Sequence, residues 1–135
     1  MSAPVVHLGG VQHRLSSRFE LHVPSLSISP GITAVLGRNG GGKSTLLRIL
    51  ATVITPHAGD VVVGGVRVDD ASLVSVRRRL GYMPDHAGVY ERITVREYLE
   101  FFADAFRVPS LSVVDAVLEL TDLGKIQDRV VATMS

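Results

Sequence analysis

The chain has 135 residues, of which 46% are hydrophobic and 20% charged, enough for one compact folded domain and inconsistent with a disordered chain. Fourteen basic residues against thirteen acidic leave a formal charge of +1, so the balance calls for no nucleic acid and no anionic lipid surface, and the absence of cysteine excludes a disulfide framework, a thiolate zinc site and a thiol nucleophile. The start, MSAPVVHLGG, has no basic n-region or signal-length apolar run, and no window approaches the ~18 apolar residues of a spanning helix, so the expectation is a cytosolic chain, docked on a membrane protein at most.

Residues 19–28, FELHVPSLSI, alternate loosely around Pro24 and predict an edge strand or hairpin arm. SPG then turns the chain into Ile32–Leu36, a short β-branched apolar run expected as a buried strand. From Lys43 to about Ile54, apolar positions Leu46, Leu47, Ile49, Leu50, Val53 and Ile54 keep helical spacing, and Pro56 stops the helix. GDVVVGGVRVD predicts a hairpin turning at Gly64-Gly65. Arg77, Arg78 and Arg79 are the only basic run; with no interleaved aromatics they read as the solvated end of a short helix rather than a phosphate patch. LGYMP at 80–84 is a further strand candidate.

Thr94 and Glu97 make a T-x-x-E capping box, followed by Val95, Tyr98, Leu99, Phe102 and Phe106 on one helical face. Core packing is the expected use of that stripe, with presentation to a partner as the alternative. Pro109 separates it from a second helix over about Ser112–Leu120, with Val113, Val114, Val117, Leu118 and Leu120 on its apolar side.

The stretch Gly37–Ser44 fits G-x-x-x-x-G-K-[ST], between a strand candidate and a helix, the context a phosphate-binding loop requires. Polyphosphate oxygens are held by converging backbone N–H groups, which needs side chains out of the way, hence Gly40, Gly41 and Gly42. The helix starting near Lys43 aims its positive end at the anion. Lys43 is placed to reach the β- and γ-phosphates, Ser44 to bind Mg²⁺ and Thr45 to reach the α-phosphate side, with Gly37, Arg38 and Asn39 completing the cofactor-binding loop.

LGRNGGGKSTLLRILATVITPHAGDVVVGG resembles the nucleotide-binding subunit of ABC transporters, whose loop typically reads G-x-N-G-A-G-K-[ST]-T-L and is followed by P-x-x-G-x-[IV]-x-x-x-G, here Pro56, Gly59 and Gly65. About forty residues after Lys43, GYMPDHAGVYERITVREYLEFFADAF is similar to the family's GY-[LMV]-P-Q segment, in a form that looks most like ABC-2 or drug exporters. The resemblance implies an α/β P-loop NTPase fold of the ABC ATPase type, incomplete. It divides into antiparallel β subdomain and core strands over 1–36 and 57–70, phosphate loop and helix over 37–56, and helical subdomain over 86–135. It further implies ATP and Mg²⁺ as cofactors, hydrolysis driving export through a separate membrane permease subunit, and a second nucleotide-binding subunit in the full-length form. The location it implies is peripheral, on the cytoplasmic face of the membrane. The region His86–Arg107 is where the family touches its membrane partner.

Three positions depart from the family pattern. Asp85 stands at the family's Mg²⁺-sensing glutamine; a carboxylate remains a competent ligand, and turn chemistry after proline is the other reading. The family's adenine-stacking aromatic falls on Leu15, with His13 and Phe19 the nearest rings, so no base-stacking residue is assigned and selectivity against GTP is expected to be modest. Finally, the sequence ends RVVATMS, with Met134 and Ser135 at the leucine and serine of the signature segment V-x-x-L-S-G-G-[QM].

No run of four apolar residues and Asp, the strand carrying the second Mg²⁺ ligand and the catalytic Glu, occurs in the chain, and the switch histidine is missing too. His7, His13, His22, His57 and His86 fit no metal-ligand spacing and read as surface or turn residues. No catalytic residue is therefore expected here. The isolated polypeptide is expected to leave strand edges unpaired, to be poorly stable and not to hydrolyse ATP. The alternative function is a non-hydrolysing nucleotide-binding or regulatory fragment that docks on a partner. A GTPase is disfavoured because Lys43 and Lys125 are the only lysines and no N-K-x-D motif exists.

Overall fold

The computed structural model describes residues 4–17, 19–85, 92–108 and 110–134. They fall into two compact units, one running to Met83 and one from Pro84 on.

The first unit is a four-stranded antiparallel sheet in the order β2-β1-β3-β4, with β1 Val6–Ser16, β2 Phe19–Ile28, β3 Ala58–Val63 and β4 Val66–Arg67. β2 is an edge strand, as its Pro24 requires: the ladder pairs Val23 with Val11 and Ser25 with Gly9, passing over the proline. β1 and β3 pair with a register shift between Gly9 and Gln12. There the backbones come so close that a Cβ on Gly59 would lie 2.4 Å from the Gly10 carbonyl oxygen, so only glycine fits. The turn between β3 and β4 falls at Gly64-Gly65, both at positive φ.

Helix α1, Lys43–Leu50, covers the inward face of this sheet, and Leu8, Val11, Ile49, Val61, Val63 and Val76 form the buried core. α1 ends four residues earlier than the spacing predicts. Thr52 and Val53 donate backwards to the Ile49 and Arg48 carbonyls, closing a Schellman-type cap with Thr52 at φ 59° in the position glycine usually takes. Arg77, at the end of the short helix α2, Leu73–Arg77, holds this cap: its Nε donates to Thr52 Oγ1 at 3.0 Å and a terminal nitrogen to the Thr52 carbonyl at 2.7 Å. The first arginine of the basic run is thus a structural clasp, while Arg78 and Arg79 are exposed as expected.

Two expected strands do not form. Residues 32–36 and 80–84 carry no strand pairing, and Ile32, Leu36 and Met83 are almost wholly exposed. A β-branched apolar run becomes a strand only when a neighbour satisfies its backbone, and among the described residues nothing pairs with either segment.

The second unit is helical. α3, Val95–Ala105, opens on the expected capping box: Thr94 Oγ1 accepts from the Glu97 amide at 3.2 Å, and the Glu97 carboxylate accepts from the Thr94 amide at 2.7 Å. α4 runs Ser110–Leu120, starting two residues before the spacing predicts; Pro109 lies outside the described residues. Val95, Val114 and Leu118 are the buried centre, with Leu99, Ala103, Leu123, Val131 and Met134 packed around them. The aromatic stripe is not core: Phe102 is borderline exposed and Phe106 is 69% exposed, while Phe102 forms ring contacts with Tyr98 and Phe101. Leu120 is likewise exposed; what α4 buries toward α3 is Val114 and Leu118, and Asp115 adds an ion pair with Arg96 at 2.7 Å. Backbone bonds from Val95 to Arg129, Arg96 to Gln127 and Val131 to Ile93 tie residues 127–131 to the start of α3.

Candidate functional site

The loop from Gly37 to Gly42 leaves the exposed 32–36 segment and enters α1 through Gly42, whose φ of 86° and ψ of 5° place it in the left-handed region. No side chain caps this helix start and no acidic residue lies in its first turn. The N–H groups of the first turn therefore keep their capacity for an external acceptor, and the dipole adds positive potential there. Within the loop the Gly41 amide donates to the Arg38 carbonyl at 3.1 Å, making a tight turn. Lys43 folds back across it, its Nζ donating to the Gly37 carbonyl at 2.9 Å and the Arg38 carbonyl at 2.8 Å. An ammonium has three N–H groups, so one remains to meet an anion lying in the loop.

A cleft of about 330 Å³ opens here, lined by Leu15, Phe19, Asn39, Gly40, Gly41, Gly42, Lys43, Ser44 and Thr45. Seven of the nine expected loop residues thus share one concavity with the two apolar residues; Gly37 and Arg38 contribute through the carbonyls that hold Lys43. Ser44 is exposed, whereas Thr45 is buried. Phe19 and Leu21 back the loop from β2: a Cβ on Gly42 would stand 3.0 Å from Leu21 Cδ1 and 3.3 Å from Phe19 Cζ. The sequence reading did not foresee this support, although Phe19 and Leu21 at i, i+2 on one face of a strand were a usable signal.

Asp85 belongs to the second unit, and Ser135 and His86 lie outside the described residues. Among the described residues no group of three or more His, Cys, Asp or Glu is arranged to hold a metal. The Ser44 hydroxyl fits the way Mg²⁺ is usually held beside a polyphosphate, by one or two protein oxygens with phosphate and water supplying the rest. His13 and His57 do more than decorate the surface: their rings stack at 4.6 Å, and His57 Nδ1 accepts the Arg14 amide at 3.1 Å.

A family model described as ABC transporter matches residues 21–135. The chain belongs to the ABC transporter family. Over 118 residues it is 36% identical to the methionine import ATP-binding protein MetN 2 of Paraburkholderia xenovorans, covering 82% of this chain and 31% of that one. Over 143 residues it is 34% identical to the probable multidrug ABC transporter ATP-binding protein YbhF of Escherichia coli, covering 100% of this chain and 24% of that one. The fold is likewise that of an ABC ATPase, in part: a solved ATP-binding subunit of an ABC transporter superposes with a TM-score of 0.76 at 20% identity, over 97% of this chain and 56% of the other. The chain thus spans under a third of the first of these curated relatives and about a quarter of the second. Among the described residues no helix is long and apolar enough to cross a membrane.

Proposed function

We propose that this chain is the phosphate-gripping portion of a transport ATPase: it binds Mg-ATP through Gly37–Thr45, and the nucleotide's turnover drives transport through a separate membrane subunit. The observation that carries this is the uncapped start of α1, entered through a left-handed Gly42 and bridged by Lys43, because that arrangement concentrates N–H donors and positive charge where a triphosphate fits. Ser44 would supply an oxygen for Mg²⁺, which would neutralise phosphate charge when bound, and Asp85 is put forward as a further ligand from its place in the sequence motif alone. The chain works at the cytoplasmic face of the membrane and pairs with a second nucleotide-binding subunit. The unit from Pro84 on serves as the helical subdomain that meets the membrane partner. The GYMPD…TVREYL form favours export as the direction of transport. Among the described residues, no carboxylate lines the loop cleft.

Calorimetric titration of Mg-ATP into the unaltered chain and the Lys43→Ala variant tests the reading. Loss of charged hydrogen bonds worth about 1.5–3 kcal/mol weakens binding by roughly ten- to a hundredfold. An unchanged dissociation constant refutes the assignment. For Asp85, the Mg²⁺ dependence of ATP binding shifts in Asp85→Gln; identical curves remove its role as a ligand.

A further inference from the structure

A second cavity of the first unit, about 170 Å³, lies at the far end of α1 from the phosphate loop and shares no lining residue with the loop cleft. Its walls are largely apolar: Ile49, Ile54, Val61, Val68 and Leu73 line it. Ile49 and Val61 belong to the buried core, so the space is framed by packed side chains. An apolar cavity of about 150 Å³ takes benzene, which sets the size of body that fits.

Thr52 and Arg77 line the same space, and their mutual bonds leave hydrogen-bonding capacity unspent. Arg77 Nε donates to Thr52 Oγ1 at 3.0 Å and one terminal nitrogen to the Thr52 carbonyl at 2.7 Å, which uses one edge of the planar fork. The end of the fork, with an N–H from each terminal nitrogen, is the edge that meets a carboxylate through two parallel bonds, and among the described residues no carboxylate pairs with it. Thr52 is only 6% exposed; its hydroxyl accepts from Arg77, while its own O–H has no acceptor among the described residues. Nor does any described Asp or Glu line the cavity, and Arg78 and Arg79, exposed and next in the chain, add positive potential. The negative end of α1 opposes an anion little, because the Leu47, Arg48 and Ile49 carbonyls accept from the amides of residues 51–54 and the Thr52 carbonyl from Arg77.

We propose that this cavity is a binding site for a compact apolar carboxylate, an aromatic or branched-chain acid. The hydrocarbon body fills the apolar space, the carboxylate takes the free edge of Arg77, and the Thr52 hydroxyl donates to one of its oxygens. Inorganic phosphate meets the arginine but leaves the walls unfilled, and a neutral ring fills the walls but leaves the guanidinium without its anion. An acid with an apolar body uses both halves.

The test is amide nuclear magnetic resonance of the whole chain titrated with benzoate, benzamide and inorganic phosphate. Benzoate at millimolar concentration shifts, saturably, the amides of Thr52, Val53, Ile54 and Thr55 together with those from Leu73 to Arg77. Benzamide, of the same shape but without charge, binds roughly tenfold or more weakly, and phosphate is weaker than benzoate by a similar factor. Val68→Phe, which puts a ring into the cavity and leaves the Thr52–Arg77 pair in place, removes benzoate binding; the comparison of the three ligands needs no variant and stands if this one fails to fold. Equal affinity for benzoate and benzamide overturns the inference by showing an apolar crevice only. Phosphate as tight as benzoate overturns it by showing a surface arginine patch only. Unmoved amides over Thr52–Thr55 at tens of millimolar benzoate, or a folded Val68→Phe chain that binds benzoate as before, overturn it as well.

Discussion

Gly41 and Gly42 are neighbours of identical chemistry that the structure treats differently. At Gly42 the backbone is left-handed, so alanine there costs about 1–2 kcal/mol in strain. Its Cβ would also meet Leu21 Cδ1 at 3.0 Å and Phe19 Cζ at 3.3 Å, pushing both side chains off the loop. At Gly41 φ is not positive; the new Cβ meets one atom tightly, the Arg38 carbonyl oxygen at 3.0 Å, and a shift of a few tenths of an ångström relieves it. Removing a glycine also restricts the unfolded chain, returning about 0.4–1 kcal/mol when the native conformation suits alanine. Gly41→Ala should therefore lie within about 0.5 kcal/mol of the unaltered chain, in keeping with the alanine that ABC loops typically carry there. Gly42→Ala should lose about 1–2 kcal/mol, a factor of roughly 5–30 in the folding equilibrium. Urea unfolding followed by sheet circular dichroism measures the stabilities, and Mg-ATP titration adds a functional reading, since only Gly42→Ala displaces Phe19. Equal costs at the two positions, or a larger one at Gly41, would refute the reasoning.

Other outcomes follow from particular contacts. The Thr94 amide, and after it the Thr94 hydroxyl, hold the Glu97 carboxyl below its usual range. A lowered folded pKa gives stability that is complete above the ordinary glutamate value and is lost as pH falls through the folded one. The helical signal should therefore weaken on acidification below about pH 5, less so in Glu97→Gln, and Thr94→Ala should cost about 1 kcal/mol at neutral pH. A Glu97→Gln acid profile superimposable on that of the unaltered chain would contradict this. Arg77→Ala removes both bonds on the α1 cap and leaves Thr52 in a strained conformation; a loss of about 1–3 kcal/mol in urea unfolding is expected, and no loss would show the clasp to be idle. Gly59→Ala should abolish β1–β3 pairing and with it the cooperative melt of the sheet, because the added carbon meets backbone that cannot yield.

The features that the residues announced are those whose interactions are local. The Gly64-Gly65 turn and the Thr94–Glu97 box each depend on a few consecutive residues and form as expected, and the glycine loop likewise enters α1 through a left-handed Gly42. Long-range pairing was harder to read. Strand β1 escaped pattern reading because Gly9-Gly10 breaks its alternation at the register shift. The runs at 32–36 and 80–84 look like buried strands by composition, yet composition cannot supply the neighbour that a strand must bond to. The stripe on α3 carried the period of a core face, but the buried cluster with α4 takes in Val95, Leu99 and Ala103 and leaves Phe106 exposed. The support of Gly42 by Phe19 and Leu21 joins a strand to a loop more than twenty residues away: the i, i+2 spacing puts the two side chains on one face, but not which loop that face meets.

The central claim is that the loop's own backbone holds the phosphates, and amide nuclear magnetic resonance tests it most directly. On titration with Mg-ATP, the largest shifts in the first unit should fall on the N–H groups of Gly40, Gly41, Gly42, Lys43, Ser44 and Thr45, with Mg-tripolyphosphate moving the same set. Shifts confined to other residues, or none at millimolar nucleotide, would contradict the account.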